Sequence, residues 1–292
     1  MPSNAIAIDN VIPLSVVEEP TLFPVLGVQK PFLKWAGGKT QMISDLLKYV
    51  PENFNKYIEP FIGGGALYFN LSHPKSIISD LNEELVITYK QVKENVHEVI
   101  SILESYLNTE EYYYKIRSVS PFLLSNSQRA ARLIYLNKTC FNGLFRVNKK
   151  GEFNVPYGKR AGPFLNKLNL FGASEYLQET EIYHLDYKET LKKYAKKGDF
   201  IFLDPPYQPV GKFSDFKRYT KEFFYENDQI ELASIFKELT NRGCYVMLTN
   251  SDHPFILDLY KEFHIEIIET KRLISSNPNT RTGIDIIVLG GL

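Results

Sequence analysis

The sequence predicts an α/β fold with a parallel sheet. The apolar run Phe200–Leu203 is typical of a strand buried on both faces, and Asp204 with two prolines ends it. A second strand pattern runs into the glycine turn Gly63–Gly65, and an acid, Asp80, closes the strand after that. These features fall at strand ends, where open α/β sheets bind ligands. We therefore expect the functional site at the carboxyl edge of the sheet.

Composition allows one large domain or two smaller ones. Of the 292 residues, 44% are apolar and 14% aromatic, which is enough to bury a sizeable core. The 34 basic residues balance the 34 acidic ones, so net charge neither favours nor excludes a polyanionic partner. No apolar run approaches ~18 residues, and the start shows no basic segment followed by an apolar one. We expect a soluble, cytoplasmic protein that does not cross a membrane.

Metal and disulfide chemistry are not indicated. Cys140 and Cys244 lie far apart in the sequence, which argues against a disulfide framework or a cysteine-based zinc site. The five histidines show no spacing typical of metal ligands, so we expect no metal.

The first forty residues contain a tail and a motif that imitates a phosphate-binding loop. Residues 1–29 carry four prolines, among them Pro13, Pro20 and Pro24, and show no sustained hydrophobic period, so we interpret them as an extended tail. The following segment ends in Gly38-Lys39-Thr40, but a phosphate-binding loop needs a glycine where Leu33 stands. A nucleotide triphosphate site is therefore disfavoured. The next pattern, Gln41–Val50, predicts an amphipathic helix.

The glycine turn lies between two predicted strands. The strand that begins at Tyr57 runs into Gly63–Gly65, a helix (Leu67–Leu71) follows, and the strand Ser76–Ser79 leads to Asp80. Glycines let the backbone approach a ligand closely, and a helix start offers free amides. Asp80 lies seventeen residues after Gly63, near the spacing at which a carboxylate binds ribose hydroxyls. The turn and the acid together indicate a nucleoside cofactor.

The middle of the chain combines a helical stretch with a basic, aromatic hairpin. Leu85 to Leu136 is predicted to be helical, and Asn148–Gly151 is a turn signal within Asn137–Arg160. That hairpin has a single acid, Glu152, among interleaved basic and aromatic residues: Lys138, Arg146, Lys149, Lys150, Lys159 and Arg160 with Phe141, Phe145, Phe153 and Tyr157. Such a pattern suits nucleic acid, whereas a solvated charged hairpin explains this segment equally well.

The rest of the chain returns to strands and helices. The predicted strands are Glu181–Leu185, which leads to Asp186, then Asp199–Leu203, Cys244–Leu248, Ile265–Thr270 and Ile284–Leu289. The predicted helices are Asp228–Asn241 and Phe255–Phe263. A second basic and aromatic loop lies at Gly211–Lys221, and Lys271–Arg281 is polar and loop-like.

Asp204-Pro205-Pro206-Tyr207 is the stretch that indicates chemistry. Two prolines fix an extended turn in which the Asp204 carboxylate and the Pro205 carbonyl can accept the two hydrogens of a planar amine. Tyr207 can stack on the ring of that amine. The arrangement suits group transfer to the amine, although a plain strand-to-loop turn also explains an isolated Asp-Pro-Pro-Tyr.

Together these motifs resemble the Dam family of DNA adenine methyltransferases, in the motif order of the alpha group. The resemblance covers about residues 31–292 and depends on Phe32–Lys39, Glu59–Gly65, Asp80–Asn82, Phe141–Arg146, Gly151–Pro156, Asp204–Tyr207 and Ser275–Arg281. It implies a Rossmann-like S-adenosylmethionine-dependent methyltransferase sheet with an inserted helical and β-hairpin target-recognition domain. The expected division is a tail at 1–29, a catalytic domain at 30–85 and 173–292, and the target-recognition domain at 86–172.

The resemblance implies S-adenosylmethionine as cofactor and a monomeric enzyme that acts on double-stranded DNA. It assigns the cofactor to residues at strand ends, namely Trp35, Lys39, Phe61, Gly63, Gly65, Asp80, Asp186 and Asp204. Within that set, Asp80 would hold the ribose hydroxyls of the cofactor and Asp186 would hold the adenine of the cofactor. Asp204, Pro205 and Tyr207 are the expected catalytic residues, and the target adenine would be flipped out of the duplex.

The resemblance also implies a target sequence. Family members that modify GATC place an aromatic, Asn, Leu, Arg and Pro at the positions of Phe141, Asn142, Leu144, Arg146 and Pro156. Arg146 can pair with a guanine, Leu144 with Pro156 can contact a thymine methyl, and Phe141 can wedge into the vacated stack. Lys34 would add a contact at the outer guanine. We therefore expect GATC, with the departure that tyrosine is frequent where Phe141 stands.

Two other functions stay open. The first is methylation of another planar amine, in an RNA base or a protein glutamine; the glutamine enzymes usually begin the turn with Asn, against Asp204 here. The second is a catalytically inactive DNA-binding subunit on the same fold. The intact Lys39, Asp204, Tyr207 and glycine turn argue against it.

Overall fold

Seven strands form one sheet in this computed structural model. They are β1 (Tyr57–Glu59), β2 (Ser76–Asp80), β3 (Thr180–His184), β4 (Phe200–Leu203), β5 (Tyr245–Ser251), β6 (His264–Lys271) and β7 (Thr282–Gly290). Their order across the sheet is β3-β2-β1-β4-β5-β7-β6. The pairs from β3 to β5 are parallel, and β7 runs antiparallel between β5 and β6. The predicted α/β fold with a mainly parallel sheet is confirmed.

The strand order creates a switch point between β1 and β4. The chain proceeds from β1 outward through β2 to β3, and then returns to add β4 on the other side of β1. Connections therefore leave these two neighbouring strands in opposite directions, which opens a crevice at their carboxyl ends. The glycine turn follows β1 and Asp204 follows β4, so the order places both at this crevice.

The structure describes residues 29–35, 37–71, 75–148, 151–159, 162–208, 224–271 and 282–291. The predicted tail up to residue 28, the basic and aromatic loop Gly211–Lys221 and the motif Ser275–Arg281 lie outside the described residues. Among the described residues, no helix combines the length and apolar character that a bilayer-crossing segment needs.

Ten α-helices belong to the described part of the chain. They are α1 (Ile43–Leu46), α2 (Tyr68–Leu71), α3 (Glu83–Glu94), α4 (Val96–Glu104), α5 (Glu110–Ser118), α6 (Asn126–Thr139), α7 (Lys167–Leu177), α8 (Tyr187–Tyr194), α9 (Glu226–Asn241) and α10 (Pro254–Leu259). The predicted helical stretch from Leu85 to Leu136 is confirmed as the series α3 to α6. Asn82 begins it, because its side chain accepts a hydrogen bond from Leu85 N and so caps α3.

Both faces of the sheet are covered. Phe200 and Phe202 of β4 pack into a core shared with α3, α4, α6 and α7, whereas Ile201 and Leu203 pack against α8, α9 and α10. Successive side chains of a strand point to opposite faces, so an uninterrupted apolar run is what a strand covered on both sides requires.

Two predicted elements differ in the structure. The helix predicted over Gln41–Val50 is broken into a 3₁₀ turn, α1 and a second 3₁₀ turn, Leu47–Tyr49. The break lies at Met42, whose N–H bonds to Lys39 O three residues back, while Leu46 N bonds to Met42 O four residues back.

The β-hairpin predicted over Asn137–Arg160 is present only as an irregular antiparallel pairing. Asn148 N donates to Glu152 O at 2.9 Å and Asn154 N to Arg146 O at 3.0 Å, but the described residues form no continuous ladder. Asn137–Thr139 is the end of α6, and the described residues beyond it make only two isolated antiparallel bridges, Cys140–Tyr157 and Val147–Phe153. A 3₁₀ turn at Phe141–Gly143, with Asn142 and Gly143 both at positive φ, interrupts the extended backbone that a ladder needs. We call residues 140–158 the 140–158 loop.

Candidate functional site

Lys39 and Asp204 form the centre of the crevice. Lys39 Nζ lies 2.6 Å from Asp204 Oδ1, and the two side chains are only 6% and 18% exposed. Thr249 of β5 donates its hydroxyl to the same oxygen at 2.8 Å. Both contacts use Oδ1, and in the described part of the chain no group donates to Oδ2. The carboxylate is therefore held in place with one oxygen available as an acceptor.

The turn after Asp204 supplies a second acceptor. Pro205 is buried, and the described residues provide no hydrogen-bond donor to its carbonyl. Lys39 Nζ lies 4.6 Å from the centre of the Tyr207 ring, within range of a cation–π contact. The three predicted catalytic residues are thus adjacent, with a carboxylate oxygen and a carbonyl at the carboxyl end of β4.

The glycine turn is packed against Trp35. Gly63 and Gly65 both have positive φ, and a Cβ added to Gly63 would lie 2.9 Å from Trp35 Cδ1. A Cβ on Gly65 would lie 2.9 Å from the Tyr89 hydroxyl, which itself donates to the Gly63 carbonyl. Backbone angle and space both exclude larger residues here, so the turn keeps its backbone close to the crevice.

Asp80 is joined to the glycine turn. Its Oδ2 accepts from Gly63 N at 3.2 Å, and its Oδ1 accepts from Asn82 N at 2.9 Å. Burial raises the pKa of the Asp80 carboxyl to about 6, although these backbone hydrogen bonds oppose the rise. Asp80 is therefore a desolvated carboxylate beside the backbone of the turn, where a ligand hydroxyl could reach it.

Asp186 and Phe61 lie farther along the same edge. Asp186 follows β3 and caps α8, because its Oδ1 accepts from Lys188 N at 2.8 Å. Phe61 stacks on Tyr187, the first residue of α8, with ring centres 5.0 Å apart. The capping bond fixes the position of the Asp186 carboxylate, and the stacked rings form an apolar wall next to it.

The 140–158 loop presents polar and aromatic groups outward from an apolar base. Phe145, Val147, Phe153 and Val155 are buried, whereas the predicted DNA-contacting residues Phe141, Asn142, Arg146 and Pro156 are exposed and Leu144 is half-buried. Phe141 is 51% exposed, so its ring is accessible to another molecule. Arg146 donates from Nε to Asn154 Oδ1 at 2.8 Å, so its two terminal Nη groups can contact another molecule.

Contacts through Lys34 and Trp35 join this loop to the crevice. Trp35, packed on the glycine turn, also stacks on Phe145 with ring centres 4.9 Å apart and an angle of 17°. Asn137 is fully buried; it accepts from Lys34 N at 2.9 Å and donates to Lys34 O at 2.6 Å and to Gly143 O at 3.3 Å. The proposed cofactor and DNA residues are thus connected by buried hydrogen bonds and aromatic packing.

Several residues of this site were not predicted from the sequence. Glu59 ends β1 as a buried acid whose Oε2 accepts from the Tyr57 hydroxyl at 2.6 Å, and burial raises its pKa well above the usual value. A charged residue inside an otherwise apolar strand was a usable signal for it. Thr249 and Asn137 gave no such signal, because their hydrogen bonds to Asp204 and Lys34 join residues more than 40 positions apart.

Metal ligands do not cluster in the part of the chain described here. No group of three His, Cys, Asp or Glu side chains lies close enough together to hold an ion within those residues.

Comparison with known proteins identifies the family. Residues 35–274 match a model of the D12 class N6 adenine-specific DNA methyltransferases. The type II methyltransferase M1.LlaDCHI of Lactococcus lactis subsp. cremoris is 40% identical over 269 residues, covering 89% of this chain and 94% of the relative. M.MjaIII of Methanocaldococcus jannaschii, also a type II methyltransferase, is 42% identical over 275 residues, covering 86% and 95%.

DNA adenine methylases are similar over the same extent. The enzyme of Escherichia coli (strain K12) is 31% identical over 265 residues, which is 88% of this chain and 93% of the relative. The predicted fold, family and enzyme class are confirmed by these matches and by the seven-stranded sheet. The chain belongs to the D12 class N6 adenine-specific DNA methyltransferases.

Proposed function

We propose that this enzyme transfers a methyl group from S-adenosylmethionine to the exocyclic N6 of adenine in double-stranded DNA, within GATC. The observation that carries the proposal is the pair of acceptors at the crevice, Asp204 Oδ2 and the Pro205 carbonyl, next to the Lys39–Asp204 ion pair. An exocyclic amine has two hydrogens, and these two acceptors match them.

The two acceptors can compensate for the low nucleophilicity of the exocyclic amine of adenine. The lone pair of its amine is delocalised into the ring. Hydrogen bonds from both amine hydrogens to Asp204 and Pro205 favour a more tetrahedral nitrogen with a localised lone pair, held for in-line attack. S-adenosylmethionine supplies an already activated methyl group. The contribution of the protein is therefore mainly positioning and electrostatics.

The cofactor would lie along the carboxyl edge of the sheet. We assign to it Trp35, Lys39, Phe61, Gly63, Gly65, Asp80, Asp186 and Asp204. The closely packed glycine backbone and the two fixed carboxylates fit a nucleoside. Asp80 would accept hydrogen bonds from the ribose hydroxyls of the cofactor, and Asp186 from the amine of the cofactor's own adenine. The glycine turn would lie at the methionine end of the cofactor.

The 140–158 loop would read the target. Arg146 is assigned to a guanine edge, Leu144 with Pro156 to a thymine methyl, and Lys34 to the outer guanine, with Asn142 beside them. An amine inside a duplex cannot reach Asp204, so the adenine must be flipped out. Phe141, whose ring is exposed, would enter the vacated stack, and Tyr207 would stack on the flipped base.

These assignments divide the chain into two proposed domains. Residues 30–85 and 173–292 form the proposed catalytic domain, and 86–172 the proposed target-recognition domain. We propose that the enzyme acts as a monomer in the cytoplasm.

Plasmid modification tests the function. Plasmid incubated with the enzyme and radiolabelled S-adenosylmethionine should incorporate label and become sensitive to an endonuclease that cuts only adenine-methylated GATC. Label in DNA without cleavage would overturn the GATC assignment alone. Label in RNA or protein but not in DNA would overturn the DNA substrate.

A further inference from the structure

Two buried side-chain amides support the Asp204–Tyr207 turn from behind. Gln229 belongs to α9 and Asn250 to β5, and both are fully buried. Gln229 Nε2 donates to the Pro206 carbonyl at 2.9 Å, and Asn250 Nδ2 donates to Gln229 Oε1 at 3.1 Å. Neither residue belongs to the motifs by which the sequence resembles its family.

The same support continues to the end of the turn. Asn250 Oδ1 accepts from Gln208 N at 3.2 Å and from Ser251 N at 2.9 Å. Ser251 donates its hydroxyl to the Gln208 carbonyl at 2.7 Å. The backbone after Pro206 is thereby bonded on both its donor and its acceptor side.

The orientation of each amide follows from the backbone. A backbone N–H can only donate, so the Asn250 group that faces Gln208 N and Ser251 N must be its oxygen. Its NH₂ therefore faces Gln229, which must present its own oxygen. The NH₂ of Gln229 is left facing the Pro206 carbonyl, which can only accept. The chain of bonds has one consistent direction.

This direction distinguishes the two proline carbonyls of the turn. The Pro206 carbonyl is occupied by Gln229, whereas the described residues supply no donor to the Pro205 carbonyl. We propose that Gln229 and Asn250 are positioning residues for methyl transfer: they hold the Pro206 carbonyl away from the substrate, so that Asp204 and the Pro205 carbonyl together receive the amine. This inference rests on the proposed function of the turn.

The expected effect falls on the chemical step. Without the Gln229 amide, the Pro206 carbonyl loses its buried partner and the turn can shift to find another. A misplacement of about 1 Å between reacting groups costs about 10²-fold in rate. The Gln229 side chain makes no hydrogen bond to any of the proposed cofactor residues, since its described partners are Pro206 and Asn250, so cofactor affinity should stay close to that of wild type.

Gln229→Met is the direct test, because methionine keeps the length and burial of glutamine and removes the amide. Single-turnover methyl transfer at saturating DNA and cofactor should fall about 10²-fold, with KM for S-adenosylmethionine within about twofold of wild type. Gln91→Met is the matched control. Gln91 is also a buried glutamine with hydrogen bonds, to Ser127 and Asn95, but it lies in α3, away from the turn.

Gln229→Glu provides a readout that a merely structural role would not move. A protonated glutamic acid can donate to Pro206 and accept from Asn250, whereas the ionised form can only accept. The rate of this variant relative to wild type should therefore rise as pH is lowered from about 9 to about 6, in the range to which burial raises a glutamate pKa.

The inference is overturned if Gln229→Met keeps a single-turnover rate within about threefold of wild type, or loses no more than Gln91→Met at equal thermal stability. A Gln229→Glu rate ratio that is flat with pH would overturn it as well. Failure of the proposed function is distinguishable, since wild-type enzyme would then transfer no methyl group to adenine in DNA.

Discussion

The Nζ of Lys39 lies 2.6 Å from Oδ1 of Asp204, although the two residues are 165 positions apart in the sequence. Lys39 also donates to the Gly37 carbonyl at 2.5 Å. This geometry explains why Gly38-Lys39-Thr40 imitates a phosphate-binding loop without being one. In such a loop the lysine reaches a phosphate, whereas here its charge is paired with a carboxylate. The lysine holds the acid that faces the substrate in the proposed mechanism.

The first prediction concerns that acid. Asp204→Ala removes one of the two acceptors for the amine and leaves Lys39 without its partner. Turnover should fall about 10²-fold or more, by analogy with the loss of one oxyanion-hole donor. DNA binding should change much less. Rapid-quench measurement with radiolabelled cofactor, beside a DNA-binding titration, checks both expectations.

Asp199→Asn is the matched control for Asp204. Asp199 is also buried and precedes β4 at the opposite end, where its Oδ2 accepts from Lys196 N at 2.8 Å. This variant should keep near wild-type turnover in its folded fraction. Near wild-type methyl transfer by Asp204→Ala would contradict the two-acceptor mechanism.

The second prediction concerns pH. Burial raises the pKa of Asp80 to about 6, so its carboxylate is charged above that pH and protonated below it. A charged carboxylate is the better acceptor for ribose hydroxyls. Affinity for S-adenosylmethionine should therefore be full above about pH 7 and weaken as pH falls through about 6. Calorimetric titration between about pH 5 and 8 measures this dependence.

Two variants distinguish the contribution of Asp80 to this pH dependence from that of its neighbour His184. Asp80→Asn should bind the cofactor weakly at every pH, with a flat profile. His184 is the nearby titratable group that favours the charged form of Asp80, and it lies opposite Asp80 in the pairing of β2 with β3. His184→Gln should retain the pH dependence with a slightly higher midpoint. A dependence that disappears in His184→Gln and persists in Asp80→Asn would reverse the assignment.

Local pattern was sufficient to predict the elements that carry the motifs. The four apolar residues of β4, the glycine turn and the acid at Asp80 are each determined within a few residues by burial or backbone angle. The order of the strands was not predicted, because the insertion of β7 between β5 and β6 depends on pairing between distant segments. Gln229 and Asn250 were missed for the same reason, because the turn that they support is distant in the sequence. In addition, a buried polar residue cannot be told from a surface one in the sequence.

The third prediction concerns the connection between the crevice and the 140–158 loop. Asn137→Ala leaves Lys34 N and the Gly143 carbonyl without their buried partner, which costs about 1–3 kcal/mol in stability. The loop should also lose its fixed position, so affinity for DNA with the target should fall more than affinity for the cofactor. Thermal unfolding and separate titrations with DNA and cofactor measure the three quantities.

Asn95→Ala is the control for Asn137. Asn95 lies between α3 and α4, and its side chain contacts Gln91 rather than the loop. Its DNA affinity should equal that of wild type. The connection would be refuted if Asn137→Ala bound cognate DNA as well as wild type while losing stability as expected.

The last prediction concerns sequence choice. Arg146 donates to Asn154 through Nε, which leaves both Nη groups for a bidentate contact with a guanine edge. Arg146→Ala should reduce discrimination by about 1–3 kcal/mol and relax specificity at one guanine of GATC. Methylation of DNA sites that carry another base at that position should change little. Methylation rates on a set of single-base variants of the site measure this.

Lys159→Ala is the control, because Lys159 is an exposed cation just beyond the 140–158 loop. We expect this exposed cation to contact a phosphate, so its loss should weaken all sites evenly and reduce the salt dependence. If Arg146→Ala also weakened all sites evenly, Arg146 would be a phosphate contact and the guanine would be read by another residue.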